Sequence, residues 1–347
     1  MILTKKNKIK IVCEINAQTI RAAAIRHHAK HNTHDILATA EVPSRGLKSS
    51  AFQNISELCE CVFAALDKVT RSGGVSARQV TASLDDVFLE SVKLTGTAAV
   101  DSQSHEFGLT HVREARQKAL QTLHPLDKQL VYNKEAGFLV DRRDFIAEPL
   151  GICGKELTVV EHLLFSESAR TQNLKHVIER AGWRLQVIYP AALAAFHGLV
   201  PHQDHAQRWI VILLYSDTCH VIVYEYNAIQ EYMGFVIPSG TYQTADVEKI
   251  RTFVNTHYGI KKCRVLVTGE RQGTQYEALY SYLSEIHAES PPTRFVGTAL
   301  EDNKYAVLSG LYFKAIEEEG SRSHKSRIDD ATFEIRHRIR AFIQDYF

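Results

Sequence analysis

The sequence predicts an α/β fold made of two copies of one domain pattern with a further segment inserted between them. In the first copy, residues 8–27 and 35–43 alternate apolar and polar side chains as three successive strands do. In the second copy, residues 208–237 repeat this three-stranded pattern. A helix and a strand follow each set, and the copies lie about 200 residues apart, which indicates an internal duplication.

A helix and a strand complete the first copy. Apolar residues recur at helical spacing from Ile55 to Val69, and Gly73-Gly74 ends that pattern. Residues 78–84 then alternate again as a strand. In the second copy, a helix over residues 243–258 and a strand over residues 263–268 occupy the same places.

Between the copies, the sequence predicts an inserted helix-and-strand subdomain. Residues 109–123 have the pattern of a helix with Thr110 as N-cap, and residues 128–141 and 155–165 have that of strands. The predicted domains are a first half at 1–100, the inserted subdomain at 101–168, a second half at 169–316, a linker at 317–331 and a terminal helix at 332–347.

Composition is that of an ordinary globular protein. The 347 residues fit about two domains, and 45% of them are hydrophobic and 23% charged. Lys and Arg (41) nearly balance Asp and Glu (40), so the chain has no overall positive field for nucleic acid. The six cysteines form no C-x-x-C pair, which argues against a zinc finger or a disulfide framework and favours a reducing cytoplasm.

Neither export nor a transmembrane helix is expected. Residues 1–15 lack the apolar core and cleavage site of a signal peptide. No stretch approaches the ~20 apolar residues that span a bilayer. Any membrane contact is therefore expected to be peripheral.

The end of the chain predicts such a contact. Residues 317–330 are polar and charged, as in a mobile linker, and the segment after them places apolar side chains within one arc at about 100° per residue. Arginines at the edges of the arc can reach lipid phosphates while their stems stay in the interface. The predicted membrane-binding residues are Ile335, Arg336, Arg338, Ile339, Arg340, Phe342, Ile343, Tyr346 and Phe347.

The apolar arc predicts reversible attachment, because five or six partly inserted side chains contribute several kcal/mol, at roughly 1.5–3 kcal/mol for each fully buried one. Ordering of the helix offsets part of that free energy. The alternative is that the helix docks on the protein's own body, as many amphipathic helices do. The charged linker and the terminal position favour the membrane.

Several segments resemble the FtsA family of bacterial cell-division proteins and cover most of the chain in the family's order. They are residues 40–48, residues 171–200, the inserted subdomain and the terminal helix. Residues 171–200 are the most specific, because an ERAG sequence, a short strand and a Pro-Ala start to the next helix follow one another there.

The resemblance implies an actin-like fold of two RNase H-like domains, held by its terminal helix at the cytoplasmic face of the inner membrane. It also implies binding of the tubulin-like division protein FtsZ and an inserted subdomain that helps self-association.

The positions that match the family's nucleotide loops have lost most of their glycines. Backbone N–H groups approach phosphate closely only where side chains leave room, and each lost charge-assisted hydrogen bond costs roughly 1.5–3 kcal/mol. ATP and Mg²⁺ are therefore not expected as cofactors, and no catalytic residue is predicted. The degenerate loop positions are Glu14, Asn16, Ala17, Gln18, Asp217, Thr218, Thr268 and Gly269.

A second departure concerns the partner. Only residues 238–262 lie between the second set of strands and the strand at 263, so the subdomain that carries much of the family's FtsZ-facing surface is reduced. This argues against direct FtsZ binding in the usual mode and leaves another division protein as a possible partner.

Two other interpretations stay open. One is a PilM-like peptide-binding adaptor of a type IV pilus or secretion assembly, and the other is an active actin-like ATPase. A metal site at His27, His28, His31 and His34 is not favoured, because these histidines are expected in a solvated hairpin loop.

Overall fold

The computed structural model describes residues 8–28, 33–100, 106–121, 127–238, 241–258, 263–270 and 276–324. The first part of the chain forms β1 (Lys8–Ile15), β2 (Thr19–His28), β3 (Thr33–Pro43), β4 (Leu47–Lys48), β5 (Ala51–Phe52), α1 (Ile55–Ser72) and β6 (Gln79–Leu84). The middle forms β7 (Glu90–Ala99), α2 (Leu109–Gln121), β8 (Lys128–Val140), β9 (Asp144–Ile146), β10 (Glu156–Glu167), α3 (Ser168–Arg180), β11 (Arg184–Pro190) and α4 (Ala191–Leu199). The last part forms β12 (Trp209–Leu214), β13 (Thr218–Glu225), β14 (Ala228–Val236), α5 (Thr244–Tyr258), β15 (Arg264–Gly269), α6 (Glu277–Glu285) and α7 (Ala306–His324).

The first half is a five-stranded sheet in the order β11-β6-β1-β2-β3. The first three strands form an antiparallel meander, and β6 and β11 continue the sheet in parallel to β1. The last six residues of β1 are all buried, as expected for a strand covered on both faces. Asn54 starts α1, since its side chain accepts hydrogen bonds from the amides of Ser56 and Glu57.

The second half repeats this arrangement and confirms the predicted duplication. Its sheet has the order β14-β13-β12-β15, with an antiparallel meander followed by a parallel strand. The place that β11 occupies in the first half is taken here by a single parallel bridge between Leu266 and Glu289. The fifth strand of the second copy is therefore shortened to one contact.

Sheet pairing moves two predicted domain boundaries. Residues 90–99 were assigned to the first half by position, but β7 pairs with β10 in the separate sheet β7-β10-β8-β9 of the inserted subdomain. Residues 169–190 were assigned to the second half, but β11 pairs with β6, so α3 and β11 return to the first half. Distant strand pairing, which local pattern does not encode, decides both boundaries.

The predicted linker is partly helical. α7 continues to His324, so residues 317–324 extend the helix, and the linker assignment is wrong there. Glutamate has a high helix propensity, so the three consecutive glutamates at residues 317–319 favour a helix, and their charge does not indicate a disordered linker. The remaining linker residues, 325–331, and the terminal helix at 332–347 lie outside the described residues.

Close backbone contact joins α7 to α4. A Cβ on Gly310 would lie 1.7 Å from the carbonyl oxygen of Ala194, and one on Gly198 would lie 2.0 Å from that of Ala306. The absence of side chains at both glycines lets α4 and α7 pack backbone to backbone. Within the described parts of the chain, no helix has the length and apolar character needed to cross a membrane.

The histidine-rich hairpin is shorter than predicted. His27 and His28 lie in β2 and His34 lies in β3, where its ring contacts Phe295. The loop prediction is therefore wrong for these three, since the strands extend to the ends of the hairpin, and His31 lies outside the described residues. The described residues contain no group of three or more His, Cys, Asp or Glu side chains that could hold a metal ion.

Candidate functional site between the two halves

Corresponding turns of the two halves meet in the interior of the protein. The β1–β2 turn of the first half faces the β12–β13 turn and the end of β15 in the second half. The hydroxyl of Tyr215 donates to Oε1 of Glu14 at 2.8 Å, and that of Thr19 donates to Oε1 of Glu270 at 3.2 Å. The structure thus brings together the three segments whose sequences match the family's nucleotide loops in degenerate form.

In the first turn, the protein's own side chain takes the backbone amides that a phosphate would need. Asn16 is fully buried, and its Oδ1 accepts from the amides of Gln18 at 2.9 Å and Thr19 at 2.8 Å. This is the hydrogen bonding of an Asx turn. Ala17 lies inside the same turn, so the loop is closed on itself.

In the second turn, a large side chain points across the cleft. Tyr215 is completely buried, and its backbone amide donates to Thr218 O at 2.8 Å, which fixes the turn. Asp217 accepts a hydrogen bond from the amide of Ser49 at 2.5 Å, and Thr218 donates to Oδ1 of Asp85 at 3.3 Å. The loop therefore binds parts of the first half.

In the third segment, the one remaining glycine has a structural purpose. Gly269 has φ +97°, and a Cβ there would lie 2.2 Å from the carbonyl oxygen of Leu214. The side chain of Thr268 donates to Asn303 O at 2.9 Å. Packing of β15 against β12 accounts for this glycine without any ligand.

A single buried arginine faces three carboxylates. The guanidinium of Arg21, a residue that is 3% exposed, lies 3.5 Å from Glu14, 3.3 Å from Glu41 and 3.3 Å from Glu270. Burial raises the pKa of Glu14, and burial raises the pKa of Glu270 to about 7, with the charge of Glu14 adding to the shift and Arg21 opposing it. Lys304 lies 3.4 Å from Glu41 and pairs with it, so Arg21 is the cation shared by Glu14 and Glu270.

A second polar cluster crosses the cleft through His220. Tyr232 donates its only hydroxyl hydrogen to the carbonyl oxygen of Asp86, so its oxygen accepts from Nδ1 of His220 at 2.6 Å. Nε2 of His220 lies 2.7 Å from Oδ1 of Asp85. Both ring nitrogens of this buried histidine are therefore within hydrogen-bond distance of a polar partner.

These residues do not fit a nucleoside triphosphate. The amides of the first loop are already bonded, Tyr215 crosses the cleft between the loops, and four carboxylates converge where negative phosphates would have to lie. Burial also raises the pKa of Asp217, which is the response of a carboxylate without a nearby cation. The four acidic residues are Glu14, Asp85, Asp217 and Glu270.

Buried titratable groups predict a specific pH dependence of stability. Burial lowers the pKa of His162 and of His205 to about 4, so each stabilises the fold above its unfolded pKa of about 6.5 and loses about 3 kcal/mol as pH falls to 4. The raised pKa of Glu270 has the opposite sign, with stability present below about 4.5 and lost as pH rises through 7.

Burial also lowers the pKa of His197, which adds to the loss at acid pH, and the raised pKa of Glu14 acts in the same direction as that of Glu270. The free energy of unfolding should therefore fall between pH 6.5 and 4, and it should also fall from pH 6.5 to 8. Urea denaturation at half-unit pH steps measures both limbs. Glu270→Gln should flatten the alkaline limb and enlarge the acid loss, because the carboxyl group no longer opposes the histidines between pH 4.5 and 7. An alkaline limb of unchanged slope in that variant would contradict the assignment.

Comparisons with known proteins agree with this architecture. No protein-family profile matches the chain. FtsA of Neisseria meningitidis serogroup B is 23% identical over 244 residues, which cover 68% of this chain and 58% of that protein. FtsA of Bacillus subtilis is 28% identical over 161 residues, covering 46% of this chain and 37% of that protein. The chain spans about half the length of the curated relatives it matches.

Among solved structures, the PilM–PilN type IV pilus biogenesis complex superposes with a TM-score of 0.58 at 12% identity, covering 88% of this chain and 98% of that one. At this identity the likeness shows the fold. The predicted actin-like fold is confirmed, and the chain is similar in sequence to FtsA proteins.

Proposed function

We propose that the chain is a peripheral membrane scaffold of the FtsA type that links division or filament proteins to the inner membrane without hydrolysing ATP. The similarity to FtsA supports the role, and the cleft supports the independence from ATP. The observation that carries the second part is the contact of Tyr215 with Glu14, beside the buried charges of Arg21 and Glu270, in the place of a nucleotide.

The same geometry supports a role without catalysis. Phosphoryl transfer depends on positioned phosphates and on cations that neutralise developing charge. Here the first loop has bonded its own amides, and the acidic side chains of the cleft outnumber its cations. The protein is accordingly proposed to be a binding protein and not an enzyme.

Membrane attachment is assigned to residues 332–347, which lie outside the described residues. Their sequence places Ile335, Ile339 and Phe342 on one apolar arc with arginines at its edges. The proposed location is the cytoplasmic face of the inner membrane, where anionic headgroups would attract those arginines. One helix of this kind holds weakly, so several self-associated copies would bind together.

The protein partner is proposed to be FtsZ or another division protein. Between β14 and β15 the structure describes one element, α5, whose apolar face is buried against the second-half core at Val247, Ile250 and Val254. A subdomain that would offer a separate FtsZ-facing surface has little room in this connection. A division protein other than FtsZ therefore fits the surface better.

Vesicle flotation tests the proposal. The full chain should float with vesicles that contain anionic lipid, and a chain that ends at residue 331 should stay at the bottom of the gradient. Equal flotation of both chains would show that the attachment lies elsewhere.

A PilM-like peptide-binding adaptor is the second candidate. The observation in its favour is the superposition on the chain of the PilM–PilN structure, with a TM-score of 0.58. A fluorescent fusion in the source cell separates the two candidates. Fluorescence at the division site supports the scaffold, and fluorescence at the cell poles supports the adaptor.

A further inference from the structure

Polar contacts between the two halves are concentrated at the cleft and are made by buried groups. Tyr215 and Glu270 of the second half bond to Glu14, Thr19 and Arg21 of the first half. Glu14 is 1% exposed and Arg21 is 3% exposed. If the two halves separate only partway, these groups lose their hydrogen bonds before water can replace the lost partners. The contacts resist a partial opening.

A strained turn makes a second set of contacts. Ser49 and Ser50, between β4 and β5, have φ +48° and +62°, a conformation that glycine or asparagine adopts more readily. This turn places the Ser49 amide against the carboxylate of Asp217, and the Ser50 hydroxyl donates to Oδ1 of Asp85 at 3.2 Å. Arg170 donates to Ser50 O at 2.8 Å and holds the turn from the first half. The strain is consistent with a turn fixed by its contacts.

The cluster around His220 makes a third set. His220 and Tyr232 belong to the second half, whereas Asp85 and Asp86 follow β6 of the first half. The hydroxyl of Ser166, on β10 of the inserted subdomain, donates to Oδ2 of Asp86 at 2.6 Å. One hydrogen-bonded chain therefore connects all three parts of the fold.

We propose that these three sets of contacts form a latch that holds the two halves in one closed arrangement without any bound nucleotide. In an actin-like fold with phosphate loops, the ligand between the halves can supply that connection. In this chain, Tyr215, Asp217 and His220 supply it with side chains. The inference extends the proposed function in one respect, because it assumes that no nucleotide enters the cleft.

The closed arrangement is tested by the distance between the halves. Spin labels at Lys68 on α1 and Lys249 on α5, both exposed, can be introduced through genetically encoded amino acids that leave the six cysteines unchanged. Pulsed electron–electron double resonance on the full chain should give one narrow distribution of the distance between the two labels in the absence of nucleotide. Addition of Mg-ATP should leave it unchanged.

The latch variant is Tyr215→Phe/Asp217→Leu/Thr218→Val, which removes bridging groups while leaving Arg21 paired and the shapes similar. It should broaden the distribution and shift it to longer distances. Tyr242→Phe is the matched control, since the Tyr242 hydroxyl bonds to Tyr215 O and Thr218 O within the second half. The control should keep the narrow distribution.

If the triple variant does not fold, as judged by circular dichroism, Tyr215→Phe alone provides the same test with a smaller shift. A broad distribution in the wild type, or a folded latch variant as narrow as the wild type, would overturn the latch. A wild-type distribution that is narrow without nucleotide but moves to a different distance on addition of Mg-ATP would instead contradict the proposed function, so the two failures are distinguishable.

Discussion

Replacing both Ile339 and Phe342 by glutamate should abolish flotation of the full chain with anionic vesicles. Both residues lie within the predicted apolar arc, and full burial of such a side chain contributes roughly 1.5–3 kcal/mol. Losing two of them lowers membrane affinity at least about 100-fold, before the repulsion between glutamate and anionic headgroups is counted. Flotation followed by quantification of the protein in the lipid fraction measures the loss.

The matched control places the same charges on the other face. His337→Glu/Gln344→Glu changes two residues that lie opposite the arc at 100° per residue. This control should keep most of the binding and lose it gradually as salt rises, since only the surface electrostatics change. If both double variants lose binding equally, the attachment is electrostatic and the assigned apolar face is wrong.

Replacing Arg21 by methionine should lower the free energy of unfolding by about 3–5 kcal/mol, the usual cost of leaving a buried charge without its partner. Methionine fills a similar volume, so the effect is chiefly that of the carboxylates of Glu14 and Glu270, which lose their shared cation. Urea denaturation with a fluorescence readout measures the change. Adding Glu270→Gln to this variant should restore part of the stability.

Arg26→Met is the control for Arg21, because it removes an arginine from the same strand. Arg26 is 40% exposed on its side chain and lies 3.9 Å from Asp35, so its loss should cost less than about 1 kcal/mol. Equal destabilisation by the two substitutions would show that the buried cluster has no special role.

Much of the fold could be predicted because its elements have regular local patterns. The alternation of residues 8–27 and 208–237 marks both meanders, and the apolar spacing from Ile55 to Val69 marks α1. The domain boundaries were less accessible. Whether β7 and β11 join one sheet or another depends on pairing with β10 and β6 far along the chain, and such pairing leaves no local trace.

The sequence predicted which segments form the candidate site, but it did not predict the side-chain contacts within the site. Loss of glycine marked the three loops, but nothing in the sequence indicated that Tyr215 bonds to Glu14 across the cleft. One signal was available: Arg21 lies between Ile20 and the apolar run at residues 22–25, and such a charged residue when buried needs carboxylate partners. Its partner Glu270 is 249 residues away, so only the folded structure identifies it.

The most direct test of the account is calorimetric titration of the full chain with Mg-ATP at neutral pH. A cleft that is filled by Tyr215 and lined by buried carboxylates predicts no measurable heat of binding up to millimolar nucleotide. Binding in the micromolar range would show that the loops open to accept a triphosphate, and it would contradict both the ATP-independent scaffold and the closed cleft.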